Sequence, residues 1–172
     1  MNLSKIEKIK HILTIILLIG FLIPQDLKMP VVGASKSDYN AKSFWFYPWR
    51  KSVTHKGVDI FAKEGVRVNS ATKGLVIYKG NIKYGGNVVL VLGPKWRIHY
   101  YAHLKKLTAT NFSFVNNKSQ IGIVGVSGNA KGKQPHLHYS IATLVPYFWR
   151  IDSSHQGWKK MFYLDPINYM EH

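Results

Sequence analysis

Asn87-Val88-Val89-Leu90-Val91-Leu92, Gly93-Pro94-Lys95 and Trp96-Arg97-Ile98-His99-Tyr100-Tyr101 follow one another without a gap. The first run is rich in β-branched and aliphatic residues, which fit a half-buried pleated surface. Gly-Pro punctuates it as a turn. The second run then returns as a hairpin partner. Outward from this hairpin, Gly74 to Tyr78 and Ile121 to Val126 read as further strands, and His136 to Ile141 as another entering from Pro135. The loop Ser127-Gly128-Asn129-Ala130-Lys131-Gly132-Lys133 separates the last two. No segment between the leader and the C-terminal region holds a helical period. The expectation is an all-β fold.

Composition agrees. The 172 residues suffice for one domain plus a leader, and 46% hydrophobic content suffices for a core. Fourteen glycines and seven prolines supply turns. There is no cysteine, which excludes a disulfide framework and a thiolate metal site. Lys and Arg number 24 against 8 Asp and Glu, a formal charge of +16. Such a field favours a polyanionic partner, an anionic envelope polymer among them. Nucleic acid fits the charge alone, but the leader and the order of the motifs below argue against it.

The N-terminus carries Lys5, Lys8 and Lys10 ahead of an apolar run from Ile12 to Ile23. Twelve residues fall short of the roughly 20 that an ordinary membrane span needs, and they match a signal-peptide core. Residues 1–24 are therefore expected to be a signal peptide or short membrane-anchor helix, with export to the periplasm or cell envelope. Val32-Gly33-Ala34 resembles a small-residue cleavage site but lies far past the apolar run. Residues 25–43 are polar, without period, and read as a linker. The folded domain is expected over 44–172, opening on Phe44-Trp45-Phe46-Tyr47-Pro48-Trp49. The tail aromatics Tyr147, Phe148, Trp149, Trp158, Phe162 and Tyr163 are expected to pack it onto that domain.

Two short segments carry the chemistry: His55-Lys56-Gly57-Val58-Asp59 and His136-Leu137-His138. Strand residues two apart share a face, so His136 and His138 project together while Leu137 turns to the core. His55 and Asp59 need a bend between them, because four extended residues span about 13 Å. Gly57 is placed to supply it. These side chains offer nitrogen and oxygen donors at spacings that can close on one ion, and catalytic zinc sites use three such protein ligands. From spacing alone either imidazole of the His136/His138 pair could be the ligand. His103, in Tyr101-Ala102-His103-Leu104, and His99 are further candidates, whereas His11, His155 and His172 have no supporting context.

In this order, His-x-Gly-x-Asp, Tyr-Ala-His-Leu and His-Leu-His-Tyr resemble the M23 peptidases, the LytM/lysostaphin-type zinc endopeptidases of bacterial cell walls. The resemblance runs from about Arg50 to Ile141. It takes in Gly65-Val66-Arg67-Val68, Ala71-Thr72-Lys73-Gly74-Leu75-Val76, Tyr84-Gly85-Gly86-Asn87 and Ile121-Gly122-Ile123-Val124-Gly125. Leu164-Asp165-Pro166 is similar to the family's closing segment. The resemblance implies a compact antiparallel β-sandwich of the duplicated hybrid motif type. It also implies a zinc ion held by His55, Asp59 and His138, with His103 and His136 as unliganded catalytic histidines. The implied activity is hydrolysis of peptide bonds in peptidoglycan. The alternative is a non-catalytic wall-binding or hydrolase-activating domain on the same fold, but such members typically lose ligands. One position departs from the pattern: Ser140 stands where the family commonly has Glu.

Overall fold

The structure, a computed structural model, describes residues 3–171. One helix, α1 (Leu3–Leu22), precedes twelve strands. They are β1 (Leu27–Lys28), β2 (Val58–Phe61), β3 (Arg67–Asn69), β4 (Gly74–Ile82), β5 (Gly86–Gly93) and β6 (Arg97–Leu104), then β7 (Lys106–Leu107), β8 (Phe114–Val115), β9 (Gln120–Ile123), β10 (His136–Thr143), β11 (Tyr163–Leu164) and β12 (Met170–Glu171). The all-β expectation holds. The hairpin read from Asn87 to Tyr101 is β5–β6, with a short 3₁₀ turn at Pro94–Trp96 joining the two strands.

Seven strands form the main sheet in the order β11-β10-β6-β5-β4-β8, with β2 also paired to β10. Except for the two-residue β1–β12 pair, every ladder is antiparallel. The second sheet runs β3-β9-β7. One continuous core joins the two sheets. Val89, Val91, Tyr101, Leu137, Tyr139 and Ile141 come from the large sheet, and Val68 and Ile121 from the small one. Burying each such side chain is worth about 1.5–3 kcal/mol. The buried phenols are satisfied: Tyr101 Oη accepts from the Ala71 N–H at 2.8 Å, and Tyr139 Oη pairs with His99 Nδ1 at 2.7 Å.

Two stretches differ from their sequence reading. Residues 25–43 pack on the domain, and Leu27 and Val31 are buried in the core. The Lys28 N–H donates to Ala71 O, the Val32 N–H to Arg67 O, and Gln25 Nε2 meets the buried His99. Two buried residues four apart, in a stretch broken by Pro30 and Gly33, gave no period to read. The tail is the other case. Tyr147 and Leu164 reach the core, but Phe148, Trp149 and Trp158 are exposed. Among the described residues no helix is long and apolar enough to cross a membrane.

Candidate metal centre

Strand β10 organises the site. Its odd residues, Leu137, Tyr139 and Ile141, enter the core, so His136, His138 and Ser140 face the other way. On β2, Val58 and Ile60 are core residues, which turns Asp59 outward. The antiparallel register sets His138 opposite Asp59 on one side and opposite Ala102 of β6 on the other. A carboxylate and an imidazole thus meet across one ladder, and the small Ala102 side chain leaves the floor beside them open.

His55 arrives from the loop before β2. Its N–H donates to Phe46 O, its carbonyl accepts from the Trp45 N–H, and its ring lies 4.2 Å from that of Trp49. The aromatic cluster at 44–49 is therefore the cradle of His55, a role its composition did not disclose. Gly57 matters for a different reason than the expected turn. A Cβ there would fall 2.5 Å from the Tyr139 carbonyl oxygen and 3.0 Å from His138 Cε1, so only glycine lets this loop approach β10.

The donor atoms of His55, Asp59 and His138 form a tight triangle. His138 Nδ1 to Asp59 Oδ1 is 2.8 Å, His55 Nε2 to Asp59 Oδ1 is 3.2 Å, and His55 Nε2 to His138 Nδ1 is 3.1 Å. His55 Nδ1 donates to the Ser43 carbonyl at 3.0 Å, which leaves its Nε2 a lone pair. A proton on His138 Nδ1 serves the Asp59 contact, yet His55 Nε2 and the carboxylate oxygen then meet as two acceptors. A cation at the centre removes that conflict. Zinc bonds of about 2.0 Å in a tetrahedron separate the donor atoms by about 3.3 Å, close to the sides observed. The donor set fits such an ion. Burial pushes the Asp59 carboxyl up, but hydrogen bonds from His138 and His55, with their charges, hold it well below the usual carboxylate range. Burial lowers the His138 imidazole against the pull of Asp59.

His103 and His136 flank the triangle, with ring centroids 5.1 Å apart. His136 Nδ1 donates to Gln134 O at 2.7 Å and His103 Nδ1 to Ser127 O at 3.0 Å. Both Nε2 atoms are then lone pairs, and His136 Nε2 lies 4.0 Å from Asp59 Oδ2. Burial, then the neighbouring His138 and His136, lower the His103 pKa to about 4, so it is a neutral base at pH 7.

His103 reaches the cleft by a bulge. Alternation along β6 puts Tyr101 in the core and Ala102 in the cleft, and would send His103 to the core. The β5–β6 register shifts between Asn87 and Val89, where three steps on β6 oppose two on β5. His103 takes φ +65° at that point, and Leu104 returns to the core. His99, on the opposite face of β6, is fully buried and lies outside the site; burial, then Arg97, depress its pKa to about 3. Ser140 faces the site beside Gly57, and among the described residues no hydrogen bond joins it to the four site histidines. Backbone carbonyls of Ser43, Ser127 and Gln134 orient three of those histidines instead.

The site opens into a cleft of about 790 Å³. Tyr84, Tyr100, Asn129 and three lysines, Lys51, Lys56 and Lys133, share its walls with the histidines. Burial raises the Tyr100 phenol to about 12. Burial, then Lys159, lower the Lys56 ammonium.

An antiparallel β-fold thus presents a His-Asp-His donor set that could hold a metal ion, with two further imidazoles in the same cleft. The sequence model of Peptidase family M23 matches residues 53–147, and the chain belongs to that family. The peptidoglycan DD-endopeptidase ShyA of Vibrio cholerae is 31% identical over 96 residues, covering 55% of this chain and 22% of that protein. The chain thus matches about a fifth of that relative's length. The catalytic domain of the antimicrobial peptidase lysostaphin from Staphylococcus simulans superposes with a TM-score of 0.60 at 23% identity, covering 77% of this chain and 92% of that one. A zinc-containing peptidase from Vibrio cholerae gives a TM-score of 0.56 at 25% identity, covering 69% and 36% of the two chains.

Proposed function

We propose that this chain is a zinc metalloendopeptidase that hydrolyses peptide bonds in bacterial peptidoglycan. The observation that carries the reading is the 2.8–3.2 Å triangle of His55, Asp59 and His138, with two unliganded imidazoles beside it. The family, the peptidoglycan endopeptidase relative and the zinc-containing structural neighbour support it. A non-catalytic role on the same fold has no need of His103 and His136 held with lone pairs toward the cleft.

His55, Asp59 and His138 would hold the metal. A zinc ion there supplies Lewis acidity, polarising the scissile carbonyl and lowering the pKa of water from about 16 toward about 7. The protein supplies the rest. His103 and His136 each turn Nε2 toward the cleft, whose described lining holds no glutamate to move protons. One accepts a proton from the attacking water at Nε2; the other acts only when Nε2 carries a proton, which then steadies the oxyanion or passes to the leaving amine. The carbonyls of Ser127 and Gln134 occupy both Nδ1 atoms, so Nε2 is the atom at which either ring gains or gives up a proton.

The lysine-flanked helix α1 fits delivery to the envelope, as a cleaved signal or a retained short anchor. A reporter fused after Lys42 is expected to be active only outside the cytoplasm. For the activity, purified peptidoglycan is digested with the zinc-loaded protein, with and without chelator, and new termini are identified by mass spectrometry. New peptide termini that vanish on chelation and return with zinc are expected. Intact wall peptides under every condition would contradict the reading.

A further inference from the structure

The three residues of the ligand triangle are not held alike. Asp59 and His138 face each other on paired strands, β2 and β10, so the ladder fixes both. His55 lies on a loop. On the way to it that loop carries two non-glycine residues in left-handed backbone, Trp45 at φ +61° and the β-branched Val53 at φ +69°. Backbone of this kind persists only where the surroundings over-determine it.

The C-terminal tail supplies those surroundings. Residues 152–157 turn back on themselves: Asp152 Oδ1 accepts from the Ser154 N–H at 3.0 Å, the Gly157 N–H donates to Ser154 O at 2.7 Å, and Lys160 pairs with Asp152. A Cβ at Gly157 would collide with the Asp152 carbonyl, so glycine closes the turn. The turn holds Gln156 at φ +55° and presents it, with His155, to the His55 loop. Gln156 Oε1 accepts from Thr54 Oγ1 at 3.1 Å and from Lys56 Nζ at 2.7 Å. A lysine can only donate, which fixes the amide oxygen toward it. The His155 carbonyl accepts from Trp45 Nε1 at 3.0 Å, and the His155 ring stacks on that of Tyr47, 3.5 Å between centroids. Trp45 in turn gives its backbone N–H to the His55 carbonyl at 2.6 Å. The tail therefore holds both chain neighbours of His55 and the residue bonded to its carbonyl. Gln156 and Trp45 both lie outside residues 53–147, the stretch the family pattern covers.

Resting on the metal site of the peptidase reading, we propose that Gln156 is a positioning residue, which through Thr54 and Lys56 holds His55 in the ligand triangle in advance of metal binding. A loop that must order on binding subtracts its ordering cost from the affinity, and a loop ordered beforehand does not.

The test measures zinc dissociation constants by chelator competition, and amide hydrogen exchange over residues 43–57 of the metal-free protein, both on the full chain. The parent is compared with three variants. Gln156→Leu removes the acceptor, and Gln156→Glu keeps the oxygen that both donors need. Val68→Ala opens a cavity in the small sheet, away from this loop. Gln156→Leu is expected to bind zinc about 10-fold more weakly, the lower end of what partners behind a metal ligand contribute, with faster exchange over 43–57. Gln156→Glu is expected to recover most of both effects. Val68→Ala is expected to be less stable yet to keep the parental zinc affinity while folded. Parental affinity and exchange in folded Gln156→Leu overturn the proposal. So does a loss that Gln156→Glu fails to recover, or one that folded Val68→Ala reproduces. Gln156→Ala repeats the comparison without the bulk of leucine, should that variant not fold. A parent that binds zinc with this dependence on Gln156 but cuts no wall refutes the peptidase reading and leaves the proposal standing. A parent that cuts wall with zinc, while Gln156→Leu binds zinc equally well, does the reverse.

Discussion

His136 and His138 on β10 and His103 on β6 reach the same cleft by opposite means. On β10 the pleat does everything: Leu137, Tyr139 and Ile141 are pinned in the core, so the alternate histidines must face outward. On β6 the pleat points the wrong way, and a bulge with left-handed backbone at His103 corrects it. A side chain placed by alternation costs nothing beyond the strand. One placed by a bulge holds a non-glycine residue at φ +65°, against a backbone preference of about 1–2 kcal/mol. Such local strain persists only where the surroundings over-determine it, and it gathers at functional sites. Here the Gly85 carbonyl accepts from the His103 N–H at 2.8 Å, and the Ser127 carbonyl accepts from its ring.

The largest expected difference lies in rate. His103→Ala and His136→Ala are each expected to fold and to slow wall cleavage by about 10²–10⁴-fold, the usual loss for a positioned acid or base. Equal losses from the two variants, read as turnover of zinc-loaded protein on purified wall, would show that the bulged histidine works as hard as the pleated one. Turnover within a few-fold of the parent for either would remove that residue from the chemistry.

A smaller effect isolates the backbone. His103→Val and His136→Val each lose one ring-to-carbonyl hydrogen bond, so that cost cancels between them. Valine suits a regular strand and is poorly tolerated at positive φ. Urea unfolding is expected to show His103→Val less stable than His136→Val by about 1–2 kcal/mol, with His103→Gly recovering most of the gap. Equal stabilities would mean that the bulge stores no strain.

The last effect appears only on acidification and concerns the fourth histidine of the same pair of strands. His99 faces the core from β6, and its pKa is depressed from 6.5 to about 3, first by burial and then by Arg97. The unfolded chain binds this proton more readily than the folded one. The associated stability is therefore fully present above about pH 6.5 and is lost as pH falls toward 3, at up to about 1.4 kcal/mol per pH unit. Thermal melts of the parent and His99→Phe from pH 7 to 4 check it; the variant is expected to lose less over that window.

The same contrast marks what the sequence could reveal. The β5–β6 hairpin, the inward Leu137 and the paired faces of His136 and His138 follow from residue type and a period of two, and the structure has them. Asp59 converges with His55, as a bend between them would allow. His103 could be found only through its motif, because a bulge has no signature in the alternation of Tyr101-Ala102-His103-Leu104. The carbonyls of Ser43, Ser127 and Gln134 were invisible, since every residue carries one and only the fold aims it. Leu27 and Val31 were hidden for a similar reason: a two-residue strand paired to the far end of the chain leaves no local pattern. The ligand half of the site was thus written in side chains, and its orienting half in the backbone.

The central claim is the division of labour within His136-Leu137-His138, and zinc titration into metal-free protein tests it most directly. Isothermal calorimetry on the parent, His136→Ala and His138→Ala is expected to give about one zinc per chain for the parent and for His136→Ala. His138→Ala, with only two ligands left, is expected to show no tight site. Tight zinc binding by His138→Ala together with its loss in His136→Ala would contradict the account.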